Sequence, residues 1–489
     1  MRHKKDYSHI MLKLHNTLSR GIQEFKSIEP YAVRLYTCGP TVYNSLTIGN
    51  WVAYIAWDIL VRTLKANGYE VDRVMNITDV GHLVSDADEG EDKLQKGAKR
   101  EGKTAWEVAA FYTKDFMDGM AKLNLIAPTH LTKATDFIDE QLTLIRALKE
   151  KGYTYRIDDG IYFDTSKFPT YANFARLDLE SLKAGARIDY NTEKRNPSDF
   201  ALWKFSPAAE QRDVEWETPT DLLGEGEHKK GFPGWHIECS AMAMSLLGNT
   251  LDIHTGGIDH IPVHHTNEIA QSEAASGVRF SNYWLHNNHL KVDGVKISKS
   301  LGNGYTLEDL EERGYTPLEY RLFVLQSHYR SEGNFTFENL DGAKNRLAHW
   351  RSIAALRHQI HATLEPDDVR ESSIYGASRA LLEALNDDLN TPEALKVVDH
   401  AFHEIEQRSI NRIHRHSLIT LLESIDELLG VELISSTPDI TDEQKQRIIQ
   451  RERAREQKDW QISDEIRISF ESEGIILKDT SHGTIWSYN

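Results

Sequence analysis

Two cysteines, one histidine and one glutamate form the most reactive set that this sequence offers. Cys38 stands in TCGPTVY and Cys239 in GWHIECSAM, and no other cysteine occurs in the 489 residues. HHTNEIAQSEA places His264 and Glu268 four residues apart, which on a helix means one face. Two thiolates, an imidazole and a carboxylate complete a tetrahedral zinc site. Each residue alone has a plainer role: a small buried cysteine, a surface histidine, a solvated glutamate. No CxxC or HExxH spacing accompanies them. The residues by themselves therefore leave both readings open, together with a single Cys38–Cys239 disulfide. A second feature lies downstream, where VKISKSLGN sets Lys296 and Lys299 three apart among small residues. Ammonium groups so placed neutralise charge that develops on a leaving pyrophosphate, although an arbitrary KxxK is usually a surface turn. A metal set and a lysine loop on one chain point to an enzyme that binds a small ligand and a triphosphate.

These residues need a scaffold, and the patterning predicts one. Tyr31–Cys38 is a β-rich run ending at Gly39-Pro40. From Asn50 to Ala66 the apolar residues Trp51, Ile55, Leu60 and Leu64 follow helical spacing, and Tyr69–Asn76 reads as a second strand. Strand, helix and strand in about 45 residues make a βαβ unit of a parallel, nucleotide-binding sheet. No GxGxxG is present, so a dinucleotide site is not supported. Glu89 to Glu150 reads as helical and charged, and Tyr153–Asp164 as a hairpin turning at Asp158-Asp159-Gly160. Leu251–His254 is a strand followed by a tight Thr255-Gly256-Gly257 loop, which leads to the His264/Glu268 helix. Tyr283–His289 is another strand. After Pro317 the pattern is wholly helical, and Ser435–Thr441 is a polar linker with a capping signal. Two charged helices follow, then short strands at Ile475–Asp479 and Thr484–Trp486.

Bulk properties bound the rest. The chain is 40% hydrophobic and 27% charged, the composition of a globular protein of roughly three ordinary domains. No run approaches the ~20 apolar residues of a membrane helix. The basic N-terminus lacks an apolar core, so it is not expected to be a secretory signal, and Met11 offers a second start. Two cysteines argue for a reducing, cytoplasmic setting over a disulfide framework. The net charge of −18 weighs weakly against nucleic acid, because phosphate binding needs only a local basic face. KGAKREGK at 96–103 and the Gln444–Lys458 run are such faces, and the plain reading of both is a solvated helix.

The ordered segments YTCGPTVY, NITDV, DFALWK, GWHIECSAM, HTGGIDHIPVHHTNEIAQSEA, KISKSLGN, DDLNTPEA and KDTSHGTIW are similar to those of the cysteinyl-tRNA synthetases. The chain resembles these class I aminoacyl-tRNA synthetases from about Met11 to Trp486. The resemblance implies a Rossmann-type α/β catalytic domain split by an insertion, a helical bundle and a small C-terminal anticodon-binding domain. The expected boundaries are 1–134 for the first catalytic half, 135–220 for the connective insertion, 221–316 for the second half, 317–434 for the bundle and 435–489 for the last domain.

By the same resemblance the zinc ligands fall on Cys38, Cys239, His264 and Glu268. Such an ion would bind cysteine's soft thiolate and reject serine's hydroxyl, a discrimination that a hydrophobic pocket makes poorly. Thr78, Trp235 and His254 would line the cysteine pocket. Gly39, Thr41, Thr47, Asn50, Gly257, Asp259 and Lys299 would meet ATP and its Mg²⁺. Lys296, Lys299, Thr47 and Asn50 would serve the chemistry. Arg455, Trp460, Asp464 and Asp479 would read the anticodon of the cysteine tRNA, where arginine, an aromatic face and aspartate suit unstacked bases. Trp486 is assigned to the core instead. The partners are then cysteine, ATP and the cysteine tRNA, acting on a monomer.

One signature departs from the family. His-Ile-Gly-His or His-Ile-Gly-Asn is replaced by Thr47-Ile48-Gly49-Asn50, and Val52 stands where an arginine often follows. Threonine donates a neutral hydrogen bond where histidine would meet the α-phosphate with charge. This keeps two alternatives in view: a degenerate homologue that binds tRNA or cysteine without efficient catalysis, and a ligase joining cysteine to a small amine. The C-terminal region argues against the second.

Overall fold

A computed structural model of the chain describes residues 11–81, 93–179, 191–207, 212–298, 301–360, 364, 373–480 and 483–488. Lys299 and Ser300 lie outside the described residues. The fold begins its central sheet with β1 (Ala32–Thr37), which passes through a loop into α1 (Ile48–Ala66) and returns as β2 (Glu70–Ile77). The two strands are parallel, in register from Ala32–Glu70 to Thr37–Met75. This is the expected βαβ unit. Trp51, Ile55, Leu60 and Leu64 are all buried, because α1 covers the sheet with one face and meets the helical bundle with another.

β3 (His130–Lys133) adds in parallel to β2. It corrects the reading of Glu89–Glu150 as helix throughout: sheet-edge pairing overrides the local pattern in four residues. The chain then builds a separate antiparallel sheet from Thr154–Ile157, Gly160–Phe163, Phe200–Phe205, Lys230–Pro233 and Trp216–Glu217, in that spatial order. It returns through α2 (Trp235–Leu247), β4 (Leu251–Gly257), α3 (Thr266–Ser276) and β5 (Ser281–Asn287). β4 extends through Thr255-Gly256-Gly257, where the sequence predicts a loop, because Gly257 still pairs with Asn287.

The central sheet has the order β5-β4-β1-β2-β3, with every pair parallel. From β1 the chain winds outward to β2 and β3, and later from β4 to β5 on the other side. The order therefore reverses between β1 and β4. Ligands of such sheets bind at the carboxyl ends of the strands beside this switch point. Cys38 follows β1 there, and Gly256-Gly257 ends β4 there.

The region after Pro317 holds α4 (Pro317–Leu325), α5 (Phe337–Ala355), α6 (Ser373–Asn386), α7 (Thr391–Glu406) and α8 (Arg415–Leu429). It is not wholly helical: Gly333–Phe335 pairs in parallel with Leu290–Val292. A Cβ at Gly333 would stand 2.8 Å from Leu290 Cδ1, so glycine permits that approach. Charge joins the bundle to the central sheet. Asp58 on α1 accepts from Arg62 Nε at 2.6 Å and from Arg321 Nη2 at 2.5 Å. Arg62 also donates to the carbonyls of Asp426 and Glu427, and Arg321 to that of Leu429. Burial opposes charge on Asp58, but the two guanidinium groups outweigh it and hold the carboxyl below its usual range.

The C-terminal unit consists of α9 (Asp442–Glu456), α10 (Trp460–Ser472) and the antiparallel ribbon β6 (Ile475–Thr480) and β7 (Gly483–Tyr488). Thr441 opens α9 with the expected cap, accepting from the Gln444 N–H while Gln444 Oε1 accepts from that of Thr441. Trp486 is buried among Ile440, Ile448 and Phe470.

Candidate active site

The loop after β1 is fixed from both sides. The Cys38 N–H donates to the Thr255 carbonyl on β4 at 3.2 Å, and the Gly39 N–H to Asn76 Oδ1 at 2.7 Å. A Cβ on Gly39 would stand 1.7 Å from the Asn76 carbonyl oxygen, so only glycine fits beside β2. Cys239 sits in α2, one turn from Trp235 at its start. His264 belongs to a π-helical turn, Ile261–His265, that runs into α3 with Glu268 in its first turn. The predicted helix face is therefore assembled across a wider turn, a feature often found at functional sites.

Donor atoms of Cys38, Cys239, His264 and Glu268 all lie within 4.8 Å of one another. Both cysteines are free thiols, which removes the disulfide alternative. His264 Nε2 and Glu268 Oε1 stand 3.0 Å apart, yet Glu268 Oε1 is buried and accepts no hydrogen bond of good geometry. Two such atoms facing a common point suit a shared cation better than each other. His264 Nδ1 lies 3.0 Å from His236 Nδ1, which leaves Nε2 to face the thiols. Glu268 Oε2 lies 2.9 Å from His254 Nε2. Partners of this kind orient metal ligands. The donor chemistry, two sulfurs with one nitrogen and one oxygen, fits zinc.

The electrostatics agree with that fit. Burial and the neighbouring Cys239 thiol push Cys38 up. Cys239 is drawn down to about 6, first by its hydrogen bond with Cys38 and then by His264. For Glu268 burial opposes the charged form, but His254 and His264 outweigh it and bring the carboxyl to about 2. Burial likewise disfavours the His264 cation, yet Glu268 and Cys239 raise it to about 10. The site thus gathers negative charge and draws positive charge to it.

A second, overlapping donor set consists of Cys38, His254, His265 and Glu268. It contains one sulfur instead of two. His254 and His265 are fully buried, and His254 is stacked on Trp284 at 4.5 Å. His254, expected in the cysteine pocket, therefore stands behind the donors and not in the cleft wall. His265 Nδ1 is turned outward to His286 at 2.7 Å, and His286 to Thr17 at 2.7 Å. His236, His265 and His286 escaped the sequence reading. The only signals were the doubled His264-His265 and the His in GWHIEC.

One cleft of about 510 Å³ joins the donors to the α1 N-terminus and the lysine segment. It brings together Cys38, Gly39, Thr41, Thr47, Asn50, Thr78, Trp235, Cys239, Gly257, Asp259, His264 and Lys296. Thr78 Oγ1 donates to the buried Glu238 at 3.1 Å, and Asp259 pairs with His289 at 2.9 Å. At the N-terminus of α1, Asn50 Oδ1 accepts from the Thr47 N–H at 3.0 Å and from Thr47 Oγ1 at 2.9 Å. A Cβ on Gly49 would stand 2.7 Å from Ile297 Cδ1, so the lysine segment packs directly on the signature glycine. Asn303 braces that segment, accepting from the Ser298 N–H and donating to the Lys296 carbonyl.

The C-terminal residues cluster apart from this cleft. Trp460 is 55% exposed, and the Arg455 guanidinium lies 5.8 Å from its ring centroid. Asp479 is held by both Arg451 nitrogens, at 2.6 and 2.9 Å, and by Arg455 at 3.1 Å. Its carboxylate therefore orients arginines as well as presenting an acceptor. Asp464 is exposed, 3.5 Å from Arg467.

Residues 24–345 match the model of the tRNA synthetases class I (C) catalytic domain. The cysteine–tRNA ligase of Treponema denticola is 40% identical over 501 residues, covering 97% of this chain and 99% of its own. Cysteine–tRNA ligase 1 of Burkholderia lata is 44% identical over 476 residues, 96% of each. Among solved structures, the methionyl-tRNA synthetase of Mycobacterium tuberculosis bound by methionyl-adenylate aligns with a TM-score of 0.59 at 14% identity, over 83% of this chain and 93% of that one. The LeuRS of Agrobacterium radiobacter K84, in a ternary complex with tRNA and LeuAMS, aligns at 0.60 and 12% identity, over 85% and 87%. The distant structures share the fold, and the nearer relatives share nearly the whole length. The chain belongs to the cysteine–tRNA ligase family of class I aminoacyl-tRNA synthetases.

Proposed function

We propose that this protein activates cysteine with ATP and transfers it to the 3′ end of the cysteine tRNA. One observation carries the reading: Cys38, Cys239 and His264 of the donor set, backed by Glu268, open into the same cleft as the α1 N-terminus and its lysine segment. A zinc ion held by Cys38, Cys239, His264 and Glu268 would supply a soft Lewis acid that favours a thiolate over a hydroxyl. Trp235 and Thr78 would enclose the substrate side chain beside these donors. The cysteine carboxylate would then face the α-phosphate of ATP, attack it and release pyrophosphate. The α1 N-terminus supplies a positive dipole end for the phosphates. Lys296 and Lys299 would neutralise the leaving pyrophosphate, with Mg²⁺ accompanying ATP. Arg455, Trp460, Asp464 and Asp479 would hold the anticodon. The reading includes one chain acting as a monomer in the cytoplasm, for which two free thiols are suited.

Thr47 supports a second reading, a degenerate homologue that binds tRNA or cysteine without efficient turnover. Its hydroxyl is committed to Asn50 and offers ATP no charge. Cysteine-dependent pyrophosphate exchange, with and without tRNA, followed by a charging assay separates the cases. Exchange with charging upholds the ligase. Exchange without charging points to a small-amine acceptor, and neither points to the degenerate homologue.

A further inference from the structure

The ribbon of the C-terminal unit has two faces, and the anticodon residues use only one. On β6, Leu477 and Asp479 point to α9, where Asp479 meets Arg451 and Leu477 joins the buried core. Strand alternation sends Lys478 and Thr480 the other way. Ile485 on β7 pairs directly with Lys478, so it shares that second face. Opposite stand the ends of α5 and α7, and between them lies a cleft of about 460 Å³. Its floor is apolar, formed by Ile353, Leu356, Ile410 and Ile485. Its walls carry Lys478 from the ribbon and Arg408 from just after α7. Neither cation makes an ion pair among the described residues. The volume falls within the usual range of ~300–1,000 Å³ for small-ligand sites.

Two unpaired cations over an apolar floor match one chemistry in particular: a flat base joined to a phosphate. In a chain of net charge −18, such a place attracts a polyanion only through these local groups. We propose that this cleft seats one nucleotide of the bound tRNA outside the anticodon-reading face, its base on the isoleucine floor and its phosphate between Arg408 and Lys478. The proposal rests on the tRNA-charging reading. It gives the RNA a second grip, at the junction of the bundle and the last domain.

The test uses the full-length protein and the cysteine tRNA. Arg408→Ala and Lys478→Ala remove the cations, and Gln407→Trp plugs the cleft, which Gln407 lines. In charging, each variant is expected to raise KM for tRNA at least fivefold. Each lost cation should also flatten the slope of log KM against log salt by about 0.7–0.9, the counterion release of one phosphate contact. Cysteine-dependent pyrophosphate exchange without tRNA should be unchanged, which shows that the variants are folded. An unchanged tRNA KM in the cation variants overturns the proposal. So does a cation effect without a Gln407→Trp effect, because phosphates would then be bound with no base in the cleft. A change in KM for ATP alone overturns it as well, since the occupant would be a free nucleotide. Wild-type protein that fails to charge tRNA refutes the underlying reading instead.

Discussion

Replacing Cys239 by serine tests the metal reading at its most demanding point. The side chain is 2% exposed, so serine enters without disturbing the surface and differs by one atom. Its hydrogen bond with Cys38, and then His264, draw the thiol down, which favours the thiolate that binds a cation. Serine's hydroxyl stays protonated. Loss of an outer partner of a metal ligand typically costs about 10–100-fold in affinity. Loss of a ligand itself should cost at least ~100-fold, about 2.7 kcal/mol. Elemental analysis should find one zinc per wild-type chain and a small fraction of that in Cys239→Ser after dialysis against a weak chelator. In pyrophosphate exchange, KM for cysteine should rise at least tenfold while KM for ATP stays within twofold, because the proposed function puts ATP at the other end of the cleft. Equal zinc in both proteins, or a raised ATP KM with normal cysteine binding, would refute the reasoning.

Other outcomes follow from the remaining contacts. Asp58→Ala leaves the guanidinium groups of Arg62 and Arg321 buried without their counter-charge, and should lower unfolding stability by ~3–5 kcal/mol; a loss below ~1 kcal/mol in urea titration would mean that the site relaxes. Trp460→Ala should raise tRNA KM by roughly 5–150-fold, the ~1–3 kcal/mol of one stacked base, with exchange unchanged; equal losses in both assays would make it structural. Thr47→His should leave exchange unchanged or raise it while lowering stability by about 0.5–1 kcal/mol through the lost hydroxyl bond to Asn50; inactive wild-type protein restored by Thr47→His would favour the degenerate homologue. Asp479 is depressed to about 2, so its stabilisation is complete above pH ~4 and fades as pH falls through ~2, about 1 kcal/mol once solvent screening is allowed for. Asp479→Asn should remove that acid-side dependence, measured by chemical denaturation between pH 2 and 5.

Much of the site was legible because residue type marks it. Zinc-like donors are rare enough that two lone cysteines and an i, i+4 His/Glu pair stand out before any fold is known. What they could not reveal was their support. His236 and His254 become partners of the donors only when α2, β4 and α3 converge, and nothing local separates His264 from His265. β1 and α1 were readable from periodicity, since burial on the sheet sets the spacing of Trp51, Ile55, Leu60 and Leu64. β3 was not, because four edge residues carry too little pattern to outweigh the charged helices around them. Asp58 and Arg62 could be recognised as a helix pair, but Arg321 is 263 residues away. That distance hides the partner from any local window.

The same separation has a consequence during synthesis. At ~5–20 residues per second, the ribosome needs about 13–50 s to proceed from Asp58 to Arg321. Throughout that interval α1 has emerged with Arg62 at its buried carboxylate and Arg321 still unmade. β1 is in a similar position, because its partner β4 begins at Leu251 and pairs as Ile253 with Leu35. The nascent amino-terminal half thus exposes an open β1 edge until β4 is made, and a carboxylate with one of these two cations until the bundle arrives.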